Sequence, residues 1–388
     1  MMVLPVLQSF PDCVDWSKTV DPYLPQLYEL PSKLLNITQP DQGPLDLYLK
    51  TNPFISGLAL SIFFGAIFFV VSEINKNYSQ VDRCWSILPT FYIAHFDLWA
   101  RLSGVPSQRL DLILFFSTLW SARLTFNYWR KGGYEIGSED YRWEIVRHNV
   151  PAWAFLILNI TFIAFIQSVL LFSLAAPVYP ILLSTQFQPT LAWYDFAFLA
   201  AELVLLTTEY FADEQQWEYQ NAKKEYQKTA KVARGFAADD LDRGFNTTGL
   251  WAWSRHPNFA CEQSIWLTLG YWATVTSESP LSWTLIPGFS LVALFQGSTW
   301  LTERITSGKY PEYKEYQRQV GMFAPNVLNL GPYRPPVSSV TGAKVKEHKV
   351  KEANVIEAKL DEATATGTQD TGANEVTKKR RKGKTSRI

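Results

Sequence analysis

An amide and a carboxyl group stand one helical turn apart in an apolar stretch of the chain. Asn258 and Glu262 are four positions apart, so a helix places both side chains on one face. Burial in an apolar helix favours the neutral form of a carboxyl group, which can donate a hydrogen bond to a carbonyl where negative charge develops. The alternative is an ordinary hydrogen bond between helices. We predict that this pair belongs to a catalytic site.

Three further apolar segments carry polar side chains at helical spacing. They are Trp120, Arg123, Asn127 and Arg130; Glu202, Glu209 and Asp213; and Gln296, Trp300 and Glu303. Ionisable groups in membrane helices are costly and usually face an interior cavity. Each residue taken singly is explained equally well by hydrogen bonding between helices. Together with Asn258 and Glu262, the stripes predict one polar pocket that is open to a water-soluble cofactor.

Basic residues precede the Asn258/Glu262 pair. The guanidinium of Arg255 can hold a phosphate through two parallel hydrogen bonds, and His256 adjoins it. Arg123, Arg130 and Arg142 are further candidates on the same predicted side. Positive charge that only flanks a membrane helix is the alternative. We expect Arg255, His256 and Arg123 to contact an anionic cofactor.

Seven apolar runs supply the helices on which these groups would stand. They are Ile55–Val71, Trp85–Leu98, Leu110–Tyr128, Trp153–Leu183, Leu191–Phe211, Phe259–Val275 and Leu285–Leu301. A bilayer core of about 30 Å requires roughly 20 helical residues. Buried helices of a large soluble domain are the alternative, but Ile55–Val71 has no polar stripe to face water. We predict an all-α, polytopic membrane bundle of about seven transmembrane helices with a cofactor pocket on its cytosolic side.

Composition limits the class of protein. Of the 388 residues, 47% are hydrophobic and only 19% are charged, below the roughly 25% of soluble domains. This apolar content excludes a disordered body, and three cysteines exclude a small disulfide scaffold. The zero net charge argues neither for nor against a nucleic-acid partner. Since no zinc pattern or phosphate loop occurs, we expect neither a metal nor a nucleic acid.

The basic loops predict the orientation. Lysines and arginines cluster after the third, fifth and seventh runs, so that side is cytosolic by the positive-inside rule. Residues 1–54 then form a polar lumenal segment with a glycosylation sequon at Asn36-Ile37-Thr38, residues 55–335 form the membrane domain, and residues 336–388 form a disordered, basic-ended cytosolic tail. We expect an integral multi-pass membrane protein of the endoplasmic reticulum.

Residues 249–262 read G-L-W-A-W-S-R-H-P-N-F-A-C-E, which resembles the signature of the steroid 5α-reductase family's C-terminal domain. The likeness is greatest to a branch of steroid-reductase-like integral membrane proteins. Five other elements follow that family's order: V-D-R-C-W at 81–85, L-W-S-A-R-L at 119–124, E-D-Y-R at 139–142, A-D-E-Q at 212–215 and K-Y-P-E-Y-K-E-Y-Q at 309–317. The resemblance extends from Val81 to Pro325.

The resemblance implies an NADPH-dependent oxidoreductase acting on CH–CH groups. It places Glu262 at a substrate carbonyl, Asn258 near the nicotinamide, and Asp213 with Gln215 at the amide and ribose. Tyr313 and Tyr316 could stack on the cofactor or could equally be a packing pair. No early tyrosine aligns with the one that holds the steroid carbonyl in the family, since Tyr92 matches only by position. The implied substrate is therefore a lipid or sterol-like enone in a bilayer.

Two other functions fit part of the pattern. Isoprenylcysteine and phospholipid methyltransferases also carry an R-H-P-x-Y/F run followed by a glutamate and a Y-x-x-Y end, and they bind S-adenosylmethionine. Arg255-His256-Pro257 and Glu303 with Tyr313 and Tyr316 fit that pattern too. Asn258, Glu262 and the A-D-E-Q element match the reductase branch better. The third possibility is a non-catalytic membrane protein that keeps the fold.

Overall fold

The computed structural model describes residues 3–36, 43–105, 108–326 and 331–335. It is 74% helical, and the described residues contain no strand, which confirms the all-α class. The helices are α1 Trp16–Thr19, α2 Leu24–Leu35, α3 Pro44–Leu49, α4 Pro53–Asn75, α5 Gln80–Cys84, α6 Leu88–Leu102, α7 Gln108–Arg130, α8 Tyr141–Asn149, α9 Ala152–Leu158, α10 Gln167–Ala175, α11 Val178–Ser184, α12 Trp193–Thr229, α13 Ala238–Arg243, α14 Pro257–Thr276, α15 Ile286–Lys309 and α16 Tyr313–Gln319. A π-helical stretch, Asn159–Ile166, joins α9 to α10.

Every predicted apolar run falls on a helix. Two helical segments within the described residues, Pro53–Asn75 and Ala152–Ser184, are long and apolar enough to cross a membrane. Several of the other runs carry ionisable groups, such as the buried Arg123 and Glu202, that lower their mean hydropathy. Helicity is therefore confirmed for all the runs, whereas a seven-span topology remains a prediction.

Residues 3–36 pack on the bundle and do not simply lead into it. Cys13 and Val20 are fully buried in the main hydrophobic core. The hydroxyl of Tyr179 on α11 donates to the Thr19 carbonyl at 2.9 Å. Asn52, the N-cap of α4, donates to the Tyr179 hydroxyl at 2.8 Å. The described residues up to Arg334 accordingly form one compact unit.

Two long helices, α12 and α14, pack along each other and carry most of the polar site. Trp272 on α14 donates its indole N–H to Asp195 at 2.8 Å, and Arg109 on α7 forms a buried ion pair with Asp195 at 2.8 Å. These contacts fix three helices to one another at the end remote from the site. A Cβ on Gly270 would lie 2.6 Å from the Thr284 carbonyl oxygen, so only glycine permits this close approach of α14.

The connection between α7 and α8 packs against the segment that contains α5. Trp143 donates to Asp82 at 2.8 Å, and the backbone N–H of Tyr78 donates to Glu139 at 2.8 Å. Each of these bonds joins one element, V-D-R-C-W or E-D-Y-R, to a residue that flanks the other, so the two elements lie close together although 61 residues separate the bonded positions. The predicted tail, residues 336–388, lies outside the described residues.

Candidate functional site

A cavity of about 200 Å³ lies between α7, α10, α12, α14, α15 and the start of α6. One wall is polar and contains Asn127, Glu209, Asp213, Asn258 and Glu262. The remaining walls are apolar and are formed by Trp85, Pro89, Trp120, Leu124, Leu171, Leu174, Phe259, Trp266, Leu291 and Phe295. A cavity with few polar groups on one side and many apolar ones elsewhere is typical of a small-molecule site.

Glu262 is held by two tryptophans. Its Oε2 accepts from the Trp120 indole at 2.9 Å, and its Oε1 accepts from the Trp266 indole at 2.9 Å. The two indole rings meet edge to face with centroids 5.0 Å apart. Arg123 adds a longer contact of 3.4 Å to Oε2. Both carboxyl oxygens therefore accept N–H groups, and the side chain is fixed against the cavity.

Arg123 lies behind the polar wall and joins three acids. Its guanidinium is 2.8 Å from Glu209, 2.8 Å from Asp213 and 3.4 Å from Glu262. Its side chain is only 6% exposed. A buried cation needs such partners because desolvation is costly. The sequence-predicted Arg123 is thus brought to the site, where acids contact both of its terminal nitrogens and its buried Nε has no hydrogen-bond partner among the described residues.

Two amides hold Asp213 in the same wall. Asn127 donates to its Oδ2 at 2.6 Å, and Asn258 donates to its Oδ1 at 3.0 Å. The Oδ1 of Asn258 is buried and has no hydrogen-bond partner within the described part of the chain. A buried acceptor of this kind normally has a donor, so this atom can receive an N–H from a ligand.

The polar wall carries more negative than positive groups. Three carboxyl groups converge on the single guanidinium of Arg123. Protons or a ligand must neutralise the excess, since buried unpaired charge is strongly unfavourable. Lys131 lies at the rim of the cavity, is exposed, and forms no ion pair with a residue that the structure describes. It supplies a cation at the place where an anionic ligand would enter.

A second polar cluster surrounds Glu303 and is separate from the cavity walls. Glu303 accepts two bonds from Arg255, at 2.6 and 2.9 Å, and one from Tyr313 at 3.1 Å. His256 Nε2 lies 2.9 Å from the same carboxylate. Arg255 also donates to the Gln317 carbonyl at 3.2 Å. The predicted phosphate ligands Arg255 and His256 are therefore turned toward Glu303.

Gln215 and Tyr316 also have partners within the fold. Gln215 Oε1 accepts from the backbone N–H of Leu250 at 2.9 Å. Gly249 there has φ 62°, and a Cβ on it would lie 2.5 Å from Gln215 Oε1, so the turn requires glycine. The Tyr316 hydroxyl donates to the Trp251 carbonyl. These residues build the loop that leads into α14.

The structure brings Glu262, Asn258, Asp213 and Arg123 together and keeps the other predicted site residues apart from the cavity. Glu209 was part of a predicted stripe without an assigned role, yet it lines the cavity. Trp266 also belongs to the site, and its position four residues after Glu262 is the sequence signal that indicates it. Tyr92 is fully buried, and it does not line the cavity.

Comparison with known proteins places the chain in a family. Residues 68–320 match the family described as "Protein of unknown function (DUF1295)". The chain belongs to this family. The DUF1295 match spans almost the same residues as the sequence resemblance, and the family is associated with steroid 5α-reductase-like proteins.

A fungal relative extends the DUF1295 match. The "Uncharacterized protein C594.04c" of Schizosaccharomyces pombe (strain 972 / ATCC 24843) is 43% identical over 326 residues. The alignment covers 84% of this chain and 93% of the relative. No solved structure matches the chain. The described residues contain no group of three or more His, Cys, Asp or Glu side chains arranged to hold a metal.

Proposed function

We propose that this DUF1295 protein is an NADPH-dependent reductase of a carbon–carbon double bond conjugated to a carbonyl in a lipid or sterol-like substrate. The observation that carries the proposal is the shared wall of Asp213, Asn258 and Glu262 in an otherwise apolar cavity. Such a reaction needs a bound dinucleotide, an apolar space for the substrate and a proton source beside it. The polar wall would bind the nicotinamide and supply the proton source, and the apolar walls would hold the substrate.

The residues of the polar wall fit a nicotinamide. The unpartnered Oδ1 of Asn258 suits a carboxamide N–H, and Asp213 is fixed beside it. NADPH would supply the hydride when bound. Asn258 and Asp213 would orient the ring, and the apolar residues opposite them would exclude water from the reacting carbons.

Lys131 is the proposed contact to a cofactor phosphate. It is a cation at the cavity rim without an ion pair in the described ranges, whereas Arg255 and Arg123 are occupied by carboxylates. We therefore assign Arg255 and His256 to stabilising the Glu303 cluster. Arg123 is assigned to holding the acids of the polar wall.

A second candidate is an S-adenosylmethionine-dependent methyltransferase. The excess of carboxyl groups on the polar wall would attract a sulfonium cation. Against it, Arg255, Glu303 and Tyr313, which fit the methyltransferase pattern, are hydrogen-bonded to one another and do not line the cavity. The reductase uses the residues that do line the cavity, and we prefer it for this reason.

Separate titrations of NADPH and S-adenosylmethionine on the detergent-purified protein test the proposal. NADPH should bind, and Lys131→Ala should weaken it about ten- to a hundredfold, the effect of losing one charge-assisted contact. Lys224→Ala is the matched control, because Lys224 is an exposed lysine on α12 that does not line the cavity. Tight S-adenosylmethionine binding without NADPH binding would favour the methyltransferase. Binding of neither would favour a non-catalytic protein.

A further inference from the structure

Two glutamates of the polar wall form a carboxyl pair. We propose that Glu209 and Glu262 share one proton, that Glu209 holds it in the resting protein, and that the pair delivers it to the substrate. Glu209 thereby becomes a second catalytic acid. This inference rests on the proposed reductase function for the delivery step, but the shared proton itself does not depend on it.

The first argument is that the two acids contact the same cation. Glu209 on α12 and Glu262 on α14 touch the same guanidinium, that of Arg123, at 2.8 and 3.4 Å. Both carboxyl groups also line the same cavity. Two ionised carboxylates are acceptors only, so these two acids can bond to each other only if one of them carries a proton. Two like charges held against one guanidinium also disfavour the doubly ionised state.

The second argument concerns which acid carries the proton. Both oxygens of Glu262 accept N–H groups, from Trp120 and Trp266, and such donors stabilise a carboxylate. Glu209 differs, because its Oε1 contacts Arg123 while its Oε2 is buried without a hydrogen-bond partner among the described residues. An unpartnered oxygen next to another acid is the natural place for the proton. The geometry therefore assigns the proton to Glu209.

The charges around Glu209 agree with this assignment. The titratable groups that face it are Arg123 on α7, Cys261 and Glu262 on α14, and Asp213 on its own helix. Arg123 is the only cation in this set, and it is shared with Asp213, which two amides hold as an acceptor. A proton on Glu209 removes one of the three negative charges that Arg123 would otherwise have to balance.

The proposed delivery step conserves atoms and electrons. A hydride from bound NADPH would add to the carbon β to the substrate carbonyl, and the double-bond electrons would move toward the α-carbon and the carbonyl oxygen. The O–H bond of the acid breaks, its electron pair stays on the carboxylate, and the proton joins the substrate. Glu262 passes on the proton that Glu209 gives it. Water at the cavity mouth restores the proton to the pair.

Glu202 provides a matched control. It lies seven residues before Glu209 on the same face of α12, about 10 Å deeper along the helix axis. It is fully buried, neither of its oxygens has a hydrogen-bond partner in the described ranges, and it does not line the cavity. Glu202→Gln therefore removes a buried acid from the same helix without replacing any residue of the polar wall.

Infrared difference spectroscopy tests the shared proton without any ligand. The carbonyl band of a protonated carboxyl group is distinct from carboxylate bands. Glu209→Gln should remove one protonated-acid band, and Glu202→Gln should remove a different one. In the wild-type protein, raising the pH until the pair loses its single proton should remove the Glu209 band without any substitution. Spectra in which Glu209→Gln removes carboxylate intensity instead would overturn the proposal.

Single-turnover oxidation of NADPH by an enone lipid tests delivery. Glu209→Gln should slow the reaction about 10²- to 10⁴-fold, the contribution of one positioned acid, and should raise the solvent deuterium isotope effect. Glu202→Gln should react like wild type. If Glu209→Gln also reacts like wild type, the pair does not deliver the proton. If the wild type oxidises no NADPH, the reductase proposal fails, and the infrared result decides the shared proton separately.

Discussion

Replacing Arg255 by alanine should lower the temperature at which the protein unfolds. We expect this loss of stability, and not a loss of cofactor affinity, to be the main effect. Arg255 is 8% exposed and donates two hydrogen bonds to Glu303, which is itself 5% exposed. Its guanidinium also donates to the backbone carbonyls of Gln317 and Val320. The residue thus joins the segment before α14 to α15 and to the C-terminal end of α16.

The expected cost follows from the burial of the pair. Removing one partner of a buried ion pair leaves the other charge uncompensated and costs about 3–5 kcal/mol. At roughly 2–4 °C per kcal/mol, the midpoint of thermal unfolding should fall by about 6–20 °C. Arg255→Lys should lie between wild type and Arg255→Ala, because lysine keeps the charge but cannot form the two-pronged contact with Glu303.

Thermal unfolding in detergent, followed by intrinsic tryptophan fluorescence, measures the effect. Arg304→Ala is the matched control, since Arg304 is an exposed arginine on the same helix as Glu303. That control should change the free energy of unfolding by no more than about 0.5 kcal/mol. Adding Glu303→Gln to Arg255→Ala should recover part of the loss by removing the unpaired charge. An Arg255→Ala protein that unfolds like wild type but no longer binds NADPH would refute this reasoning and restore Arg255 as a phosphate ligand.

Three further predictions follow from other parts of the chain. A chain ending at Val337 should unfold like the full-length protein. A shorter chain that also lacks Tyr333 should be less stable, because Tyr333 donates its backbone N–H to Ala252 at 2.8 Å. Equal unfolding midpoints for the two truncated chains would contradict this prediction. Asn36→Gln should abolish a glycosidase-sensitive gel shift if residues 1–54 are lumenal, and a C-terminal tag protected from protease in sealed microsomes would oppose that orientation. Burial and neighbouring lysines lower the pKa of Lys223 from 10.5 to about 8, so the folded state binds protons less readily. The free energy of unfolding should therefore rise between pH 8 and pH 10.5 in the wild type relative to Lys223→Met. The same pH dependence of the free energy of unfolding in both proteins would be evidence against this prediction.

Helical spacing in the sequence predicts part of the polar wall. Asn258 and Glu262 are predicted as neighbours by their spacing alone, because an α-helix fixes the relation between positions i and i+4. The same periodicity groups Arg123 with Trp120 and Asn127. These relations depend only on each helix and not on how the helices pack. The structure brings these residues together with Asp213.

The roles of the arginines could not be predicted from helical spacing. A guanidinium beside a histidine and a proline suits a phosphate, but Arg255 is paired with Glu303, 48 residues away. Whether an arginine is free for a ligand depends on which acid the fold brings to it. That acid is set by the packing of α14, α15 and α16.

The sequence by itself determined the all-helical class, the apolar runs that become helices, and the faces on which the polar groups stand. These properties follow from composition and from periodicity within single segments. Only the tertiary structure decided that Glu209 and Glu262 meet at one guanidinium, that Arg123 is shared by three acids, and that Lys131 is left at the rim. Each of these depends on the relative rotation and depth of separate helices, and packing of the whole chain fixes those quantities.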